Sequence, residues 1–535
     1  MSESEHSELQ QVLIGGGWRV SSDSAGEFRA NNPATGQLIG PHFPISGAGD
    51  VEAALSAAVE ASISLVELAP EKIAAFLDAY ADGIEADADE LVALANAETA
   101  LPAPTRLASI ELPRTTGQLR QAANAVRARS WTHPVIDSKA GLRSHFAPMA
   151  KPVLVFGPNN FPFAFNAIAG SDFASAIAAR NAVIAKVHPS HPATSKRMAE
   201  IAHRAAIACG LPAGSVQMLY DVAPDIGLKL CGDRRLGAIG FTGSRRAGLA
   251  LKAAADASGI PIHAEMSSVN PVFFLDGALS ERGTALADEV FASCLVGSGQ
   301  FCTNPGLLIV PNGAAGDRFV AALQTHFDAS SPNVVFSANV QRDAERNLDS
   351  LRGAGARILA SGSLHSDGDG FRVAPRLLGI DATRFIADSE RLQTEVFGPV
   401  SLIVRTDDVG EMVGVAESLD GNLTGAIYAT GDGGDDDSRD AIARVLRPRV
   451  GRLIENKMPT GVAVSPAMQH GGPYPASSHA GYTSVGMPAA IHRFAALQSY
   501  DQVRDAHLPE ELRNANSLAV QRCVDGEWTR DAIKR

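Results

Sequence analysis

The feature that most constrains this chain is a change of pattern at Pro152, where short apolar runs begin to alternate with helical stretches. Residues 153–156 read as a buried strand, followed by the turn Gly157-Pro158-Asn159-Asn160 and a helix through Ala179. Residues 182–187, 216–220 and 237–241 read as further strands. Helical stretches follow them at 193–209, 223–231 and 244–257. A parallel return needs a crossover, so repeated βαβ units predict a doubly wound parallel sheet. Such sheets bind ligands beyond the carboxyl ends of their strands. That rule points to Asn160, Lys186 and Gly243-Ser244, which stand at or just past expected strand ends. The alternation recurs from Asn270 to Val464, which predicts a second α/β domain.

The rest of the chain reads differently. Residues 13–29 resemble a hairpin around Gly15-Gly16-Gly17, and 49–129 are helical. Val51, Leu55, Val59 and Ile63 recur at helical spacing, as do Ile73, Phe76, Tyr80 and Ile84. Arg114 and Arg120 lie in this region, six residues apart and so on different faces of a regular helix. Each is either a solvated charge or one part of a clamp for a carboxylate. Residues 130–151 are polar and strand-like, as an oligomerisation ribbon would be, and 477–499 read as loop, strand and short helix. Residues 504–535 read as a polar tail with Val520, Val524 and Trp528 as anchors.

Composition excludes several functions. The 535 residues allow about three domains. A net charge of −13 disfavours nucleic acid and anionic membranes as partners. No apolar run is long enough to span a bilayer, and the polar, acidic start lacks the pattern of an export leader. Five cysteines, widely spaced and without a CxxC pair, predict neither a disulfide framework nor a zinc site. No HExxH occurs, so no metal is expected, and a reducing cytoplasm is the expected compartment.

Against this background Cys302 stands out, in Ser298-Gly299-Gln300-Phe301-Cys302-Thr303-Asn304-Pro305-Gly306. An isolated cysteine is ordinarily a small buried hydrophobe. As a thiolate it is a nucleophile. Glu265 ends an apolar run, Asn160 precedes Phe161-Pro162, and Glu395 opens Glu395-Val396-Phe397-Gly398-Pro399. The stretch from Gly243 to Gly248 matches neither a GxGxxG fingerprint nor a Walker loop.

Taken in order, these pieces resemble the aldehyde dehydrogenase superfamily over roughly residues 12–500. Ala264-Glu265-Met266-Ser267-Ser268, Pro459-Thr460-Gly461-Val462 and His470-Gly471-Gly472-Pro473-Tyr474-Pro475-Ala476-Ser477 are similar to one branch. That branch holds the α-ketoglutaric semialdehyde (2,5-dioxovalerate) dehydrogenases, related to NADP-dependent fatty aldehyde dehydrogenases. The resemblance implies a Rossmann-like cofactor domain (1–130 and 152–262) and a catalytic thiol domain (263–464). It also implies a β oligomerisation element (131–151 and 477–503) and a homodimer or homotetramer.

The roles it implies are these. Cys302 attacks the aldehyde, Asn160 stabilises the oxyanion, and Glu265 activates water. Lys186, Gly243, Ser244, Glu395 and Phe397 hold NAD(P)⁺. Arg114 and Arg120 are the candidates for holding a substrate carboxylate. The choice between NAD⁺ and NADP⁺ stays open. Pro189 replaces the glutamate common in NAD⁺-using members, and Asp221-Val222-Ala223-Pro224-Asp225 supplies no base for a 2′-phosphate. The expected reaction is α-ketoglutaric semialdehyde to 2-oxoglutarate. The alternatives are oxidation of a medium- or long-chain aliphatic aldehyde, or a catalytically silent binding relative. Glu265 argues against CoA acylation, which does without a water-activating carboxylate.

Overall fold

A computed structural model describes residues 9–363 and 369–533. The N-terminal reading that excludes an export leader rests partly on residues 1–8, outside the described residues. Two seven-stranded sheets form the body of the protein. In the first, the strands Ile262–Glu265, Ala238–Thr242, Val153–Phe156, Val183–Lys186 and Val216–Leu219 lie parallel in that order. The hairpin Val12–Ile14 and Gly17–Arg19 adds two antiparallel strands at the far edge. Chain order reverses between Val153–Phe156 and Ala238–Thr242, the switch point at which doubly wound sheets open a crevice.

The second sheet runs Arg357–Ser361, Arg376–Asp381, Val400–Thr406, Leu307–Pro311, Pro271–Phe274, Asn422–Tyr428 and Val450–Glu455. Only Arg357–Ser361 is antiparallel to its neighbour. Inner strands such as Asn422–Tyr428 are buried throughout, as helices on both faces require. The architecture is therefore two doubly wound α/β layers plus a smaller β element.

Between the two sheets lies a separate apolar cluster of Phe161, Ala164, Phe165, Phe301 and Val485. Phe161 meets Phe165 and Phe301 edge-on, at centroid distances of 5.1 and 5.3 Å. Burying rings of this size stabilises by ~1.5–3 kcal/mol each, so the seam is fixed in place.

Two sequence expectations need correction. The helix expected directly after Asn160 begins only at Ser171. Pro162 interrupts it, and the Glu111 carboxylate accepts hydrogen bonds from the Phe163 and Ala164 N–H groups at 3.2 and 3.4 Å. A carboxylate thus replaces the carbonyls that a first helical turn would have supplied. The described part of the C-terminal segment, 504–533, is more than a polar tail held by apolar anchors. Arg522–Val524 and Glu527–Thr529 extend the sheet built by Val135–Asp137, Leu142–Pro148 and Ala495–Asp501 to five strands. Its anchor is Arg522, fully buried, which donates to the carbonyls of Arg513, Asn514 and Asp531. Trp528 is exposed and rests on His133. Among the described residues no helix is long and apolar enough to cross a membrane.

Candidate active site

Cys302 follows a tight left-handed turn. Gly297, Ser298 and Gly299 have φ of 56°, 59° and 70°. A Cβ at Gly299 would lie 2.2 Å from the Gly398 carbonyl oxygen. Only glycine lets the cysteine loop press against the loop carrying Glu395 and Phe397. Asn270 fixes the loop's far side. Its Nδ2 donates to the Cys302 and Asn304 carbonyls, both at 2.9 Å, while Ser268 and Thr424 hold its Oδ1.

The structure brings Cys302, Glu265 and Asn160 together. Asn160 Nδ2 donates to the Gln300 carbonyl at 2.9 Å, two residues from the thiol. Glu265 ends its strand opposite Thr242 and is buried. His470 lies between acid and thiol, with Nε2 at 3.6 Å from Cys302 Sγ and 3.2 Å from Glu265 Oε1. Ser484 donates to Glu265 Oε2 at 3.2 Å and to the His470 carbonyl at 3.0 Å. Burial pushes Glu265 up, but His470, with hydrogen bonds from Cys302 and Ser484, outweighs it and holds the carboxyl below its ordinary value. Burial and the Glu265 charge push the Cys302 thiol well up, against the pull of Arg114. The resting pair is therefore carboxylate and thiol. Donor atoms of Glu265, Cys302 and His470 lie within 4.8 Å of one another. That spacing allows a proton to pass among them.

The two candidate arginines part company. Arg114 packs over Phe165 and Phe161, at 4.9 and 5.6 Å from their centroids, and is close enough to Cys302 to interact with its charge. Its Nε and Nη2 are buried without a hydrogen-bond partner. These two donors share one edge of the guanidinium, the fork with which Arg197 grips Asp87 at 2.5 and 2.8 Å. Arg120 belongs to the outer surface. Its guanidinium is spent on Glu85 at 2.8 Å and Asp82 at 2.6 Å, so it is not available as a substrate clamp. Six residues turn a helix by about 600°, which puts the two side chains on different faces.

Three further residues escaped the sequence reading. Besides His470, Arg106 in the wide π-helical turn Ala103–Glu111 stacks 4.5 Å from both Phe161 and Phe301. Arg106 also pairs with Glu111 at 2.8 Å and donates to the Asn160 carbonyl at 3.2 Å. It thereby ties the loop of Asn160 to the loop of Cys302. Arg452 holds the Pro459 and Gly461 carbonyls and adds a positive charge near the thiol. Arg106 and Arg452 had no local sequence signal, and His470 stood in a stretch quoted for its resemblance without a role, since the positions that they join are remote in the chain.

At the carboxyl edge of the first sheet, Ser244 caps the helix Arg245–Asp256 by accepting from Ala247 N at 3.3 Å. The Gly243 N–H donates to the Glu265 carbonyl at 3.1 Å, which brings that cap beside the acid. Lys186 ends its strand in an ion pair with Asp221 at 2.7 Å. Glu395 is half-buried. Burial, with the Glu265 charge adding and a Ser267 hydrogen bond opposing, pushes it up to about 7. Phe397 is half-buried on the same loop. A helix N-terminus and the Lys186–Asp221 pair along this edge, faced by Glu395 from a loop of the second sheet, are a donor and acceptor set that fits a dinucleotide.

Known proteins place this arrangement. The aldehyde dehydrogenase family matches residues 18–499. Alpha-ketoglutaric semialdehyde dehydrogenase 2 of Azospirillum brasilense is 38% identical, with 97% of this chain and 99% of that protein covered. The alpha-ketoglutaric semialdehyde dehydrogenase of Acinetobacter baylyi is 34% identical over 96% and 98%. Aldehyde dehydrogenase C of Pseudomonas syringae, solved with NAD⁺ and octanal, has the same fold: TM-score 0.78 at 19% identity, over 93% of this chain and 98% of that one. With its thiol, acid and amide gathered at the seam of two doubly wound sheets, the chain belongs to the aldehyde dehydrogenase family.

Proposed function

We propose that the protein oxidises α-ketoglutaric semialdehyde to 2-oxoglutarate with NAD(P)⁺, using Cys302 as nucleophile. The single observation that carries the substrate is the open, buried fork of Arg114 beside Cys302. A cation left unpaired in a site costs stability unless a ligand completes it. A carboxylate at the far end of a short aldehyde matches that fork in charge and shape.

In this reading Cys302 gives its proton to Glu265, with His470 in reach of both atoms. The sulfur then bonds to the aldehyde carbon. The new oxyanion is met by Asn160 Nδ2 and the Cys302 N–H, a donor of this kind contributing about 3–4 kcal/mol. The dinucleotide, held along the edge from Glu395 to Lys186, supplies the hydride acceptor. The aldehyde carbon loses its hydride and remains as a thioester on Cys302. Glu265 releases to solvent the proton it took from Cys302 and then takes one from water; the hydroxide attacks the thioester carbon, and the carbon–sulfur bond breaks to give the carboxylate product and the Cys302 thiolate. Arg106 keeps amide and sulfur in register by gripping both loops.

The domain division at 131–151, 263 and 477 is part of the same proposal. So are Gly243, Ser244 and Phe397 as cofactor contacts, a homodimer or homotetramer built on the five-stranded sheet, and a cytoplasmic setting. Rates on α-ketoglutaric semialdehyde and hexanal, for the native protein and Arg114→Leu, test the assignment. The expected result is a strong native preference for the semialdehyde that Arg114→Leu abolishes. Equal native rates on the two aldehydes would overturn it.

A further inference from the structure

We propose that the Lys186–Asp221 pair selects NAD⁺ against NADP⁺. This inference rests on the dehydrogenase reading and goes beyond it by choosing the cofactor. Glu265 and the cap at Ser244 lie at one end of the parallel edge, beyond the switch point. A dinucleotide whose reactive ring meets Cys302 extends from that end along the strand termini. Its adenosine ribose then arrives at Val183–Lys186 and Val216–Leu219, where Lys186 lies opposite Leu219 and Asp221 follows two residues later.

The pair is suited to a diol. Lys186 Nζ and Asp221 Oδ1 are 2.7 Å apart, and both side chains are partly open to solvent. The lysine can donate to one ribose hydroxyl, and the free Asp221 oxygen can accept from the other. A 2′-phosphate offers no hydrogen to that oxygen and carries about −1.5 to −2 charge. It would meet a carboxylate that already neutralises the one lysine beside it. No base replaces that lysine between Tyr220 and Leu228, and Lys229 faces Asp225 on the exposed surface. Nor can Asp221 swing aside easily. Tyr220 is fully buried against Phe43 and donates to the Gln11 carbonyl at 3.0 Å, and Val222 pairs with Ser46.

Calorimetric titration of the purified protein with NAD⁺ and NADP⁺, in the absence of aldehyde, tests this without relying on turnover. The native protein is expected to bind NAD⁺ at least ~10–100-fold more tightly, the scale of a like-charge clash at a specific site. Asp221→Ser should narrow the ratio to within about tenfold, and Asp221→Arg should invert it. A melting curve for each variant separates misfolding from lost selectivity. Equal binding of both dinucleotides by the native protein, or an unchanged ratio in folded Asp221→Arg, overturns the inference. Absence of binding by either dinucleotide instead overturns the dehydrogenase reading itself.

Discussion

The two ends of the ligand-facing edge are built on opposite principles. At the Lys186 end the charges are paired and partly solvated. At the Glu265 end they are buried, shifted and incompletely matched. Cys302 is pushed up, Glu265 is held down, and Arg114 keeps two unpartnered donors. Satisfied charges recognise a ligand at little cost to the fold. Unsatisfied ones hold free energy that a reacting molecule releases, which is why perturbed groups cluster where chemistry happens.

The largest expected effect strikes the buried end. Cys302→Ala should cut aldehyde oxidation by on the order of 10⁴ or more, while calorimetry still detects dinucleotide binding. Loss of both together would erase the contrast between the ends. Glu265→Gln should still give one burst of reduced dinucleotide, slower than the native one because Cys302 loses its proton acceptor, and should slow steady turnover by roughly 10²–10⁴. Full turnover in that variant would remove the acid from the hydrolytic step.

Arg114→Leu should raise KM for the semialdehyde by about 10–100-fold with a much smaller change for hexanal, as loss of a buried charge pair predicts. Arg120→Leu, its neighbour on the same helix, should shift stability by less than about 1 kcal/mol and leave KM alone. Equal effects of the two on KM would show that the helix, not the fork, matters.

The smallest expected effect concerns the loop that faces the Glu265 end from the second sheet. Glu395, pushed up to about 7, is neutral below that pH and negative above it. Dinucleotide affinity should therefore rise about threefold between pH 6 and 8, as the carboxylate gains acceptor strength for ribose hydroxyls, and this dependence should vanish in Glu395→Gln. A flat native profile would mean that Glu395 does not titrate in the complex.

The alternation of strand and helix made both sheets legible, because each period leaves a local hydrophobic signature. Cys302, Glu265 and Asn160 stand in a glycine-rich turn or at expected strand ends, but what marks them out is that their order resembles that of the aldehyde dehydrogenases. His470 could not be given a role that way. It sits 168 positions from Cys302, in a loop of glycines and prolines with no periodicity. Arg106 was hidden for a similar reason, because a π-helical turn breaks the spacing by which faces are counted. The strands Arg522–Val524 and Glu527–Thr529 are three residues each and polar on one side. Arg522–Val524 is a strand through its pairing with Val135–Asp137, and Glu527–Thr529 through its pairing with Arg522–Val524.

That last pairing also sets an order of events during synthesis. Ser138 and Asp525 hydrogen-bond across 387 positions of chain. At ~5–20 residues per second a ribosome needs roughly 20–80 s to deliver the second partner after the first. Throughout that interval Val135–Asp137 presents an open edge on which another nascent chain could template. Leu142–Pro148, the other edge of the same hairpin, waits almost as long for Ala495–Asp501, so this hairpin is where chaperone cover during synthesis would act.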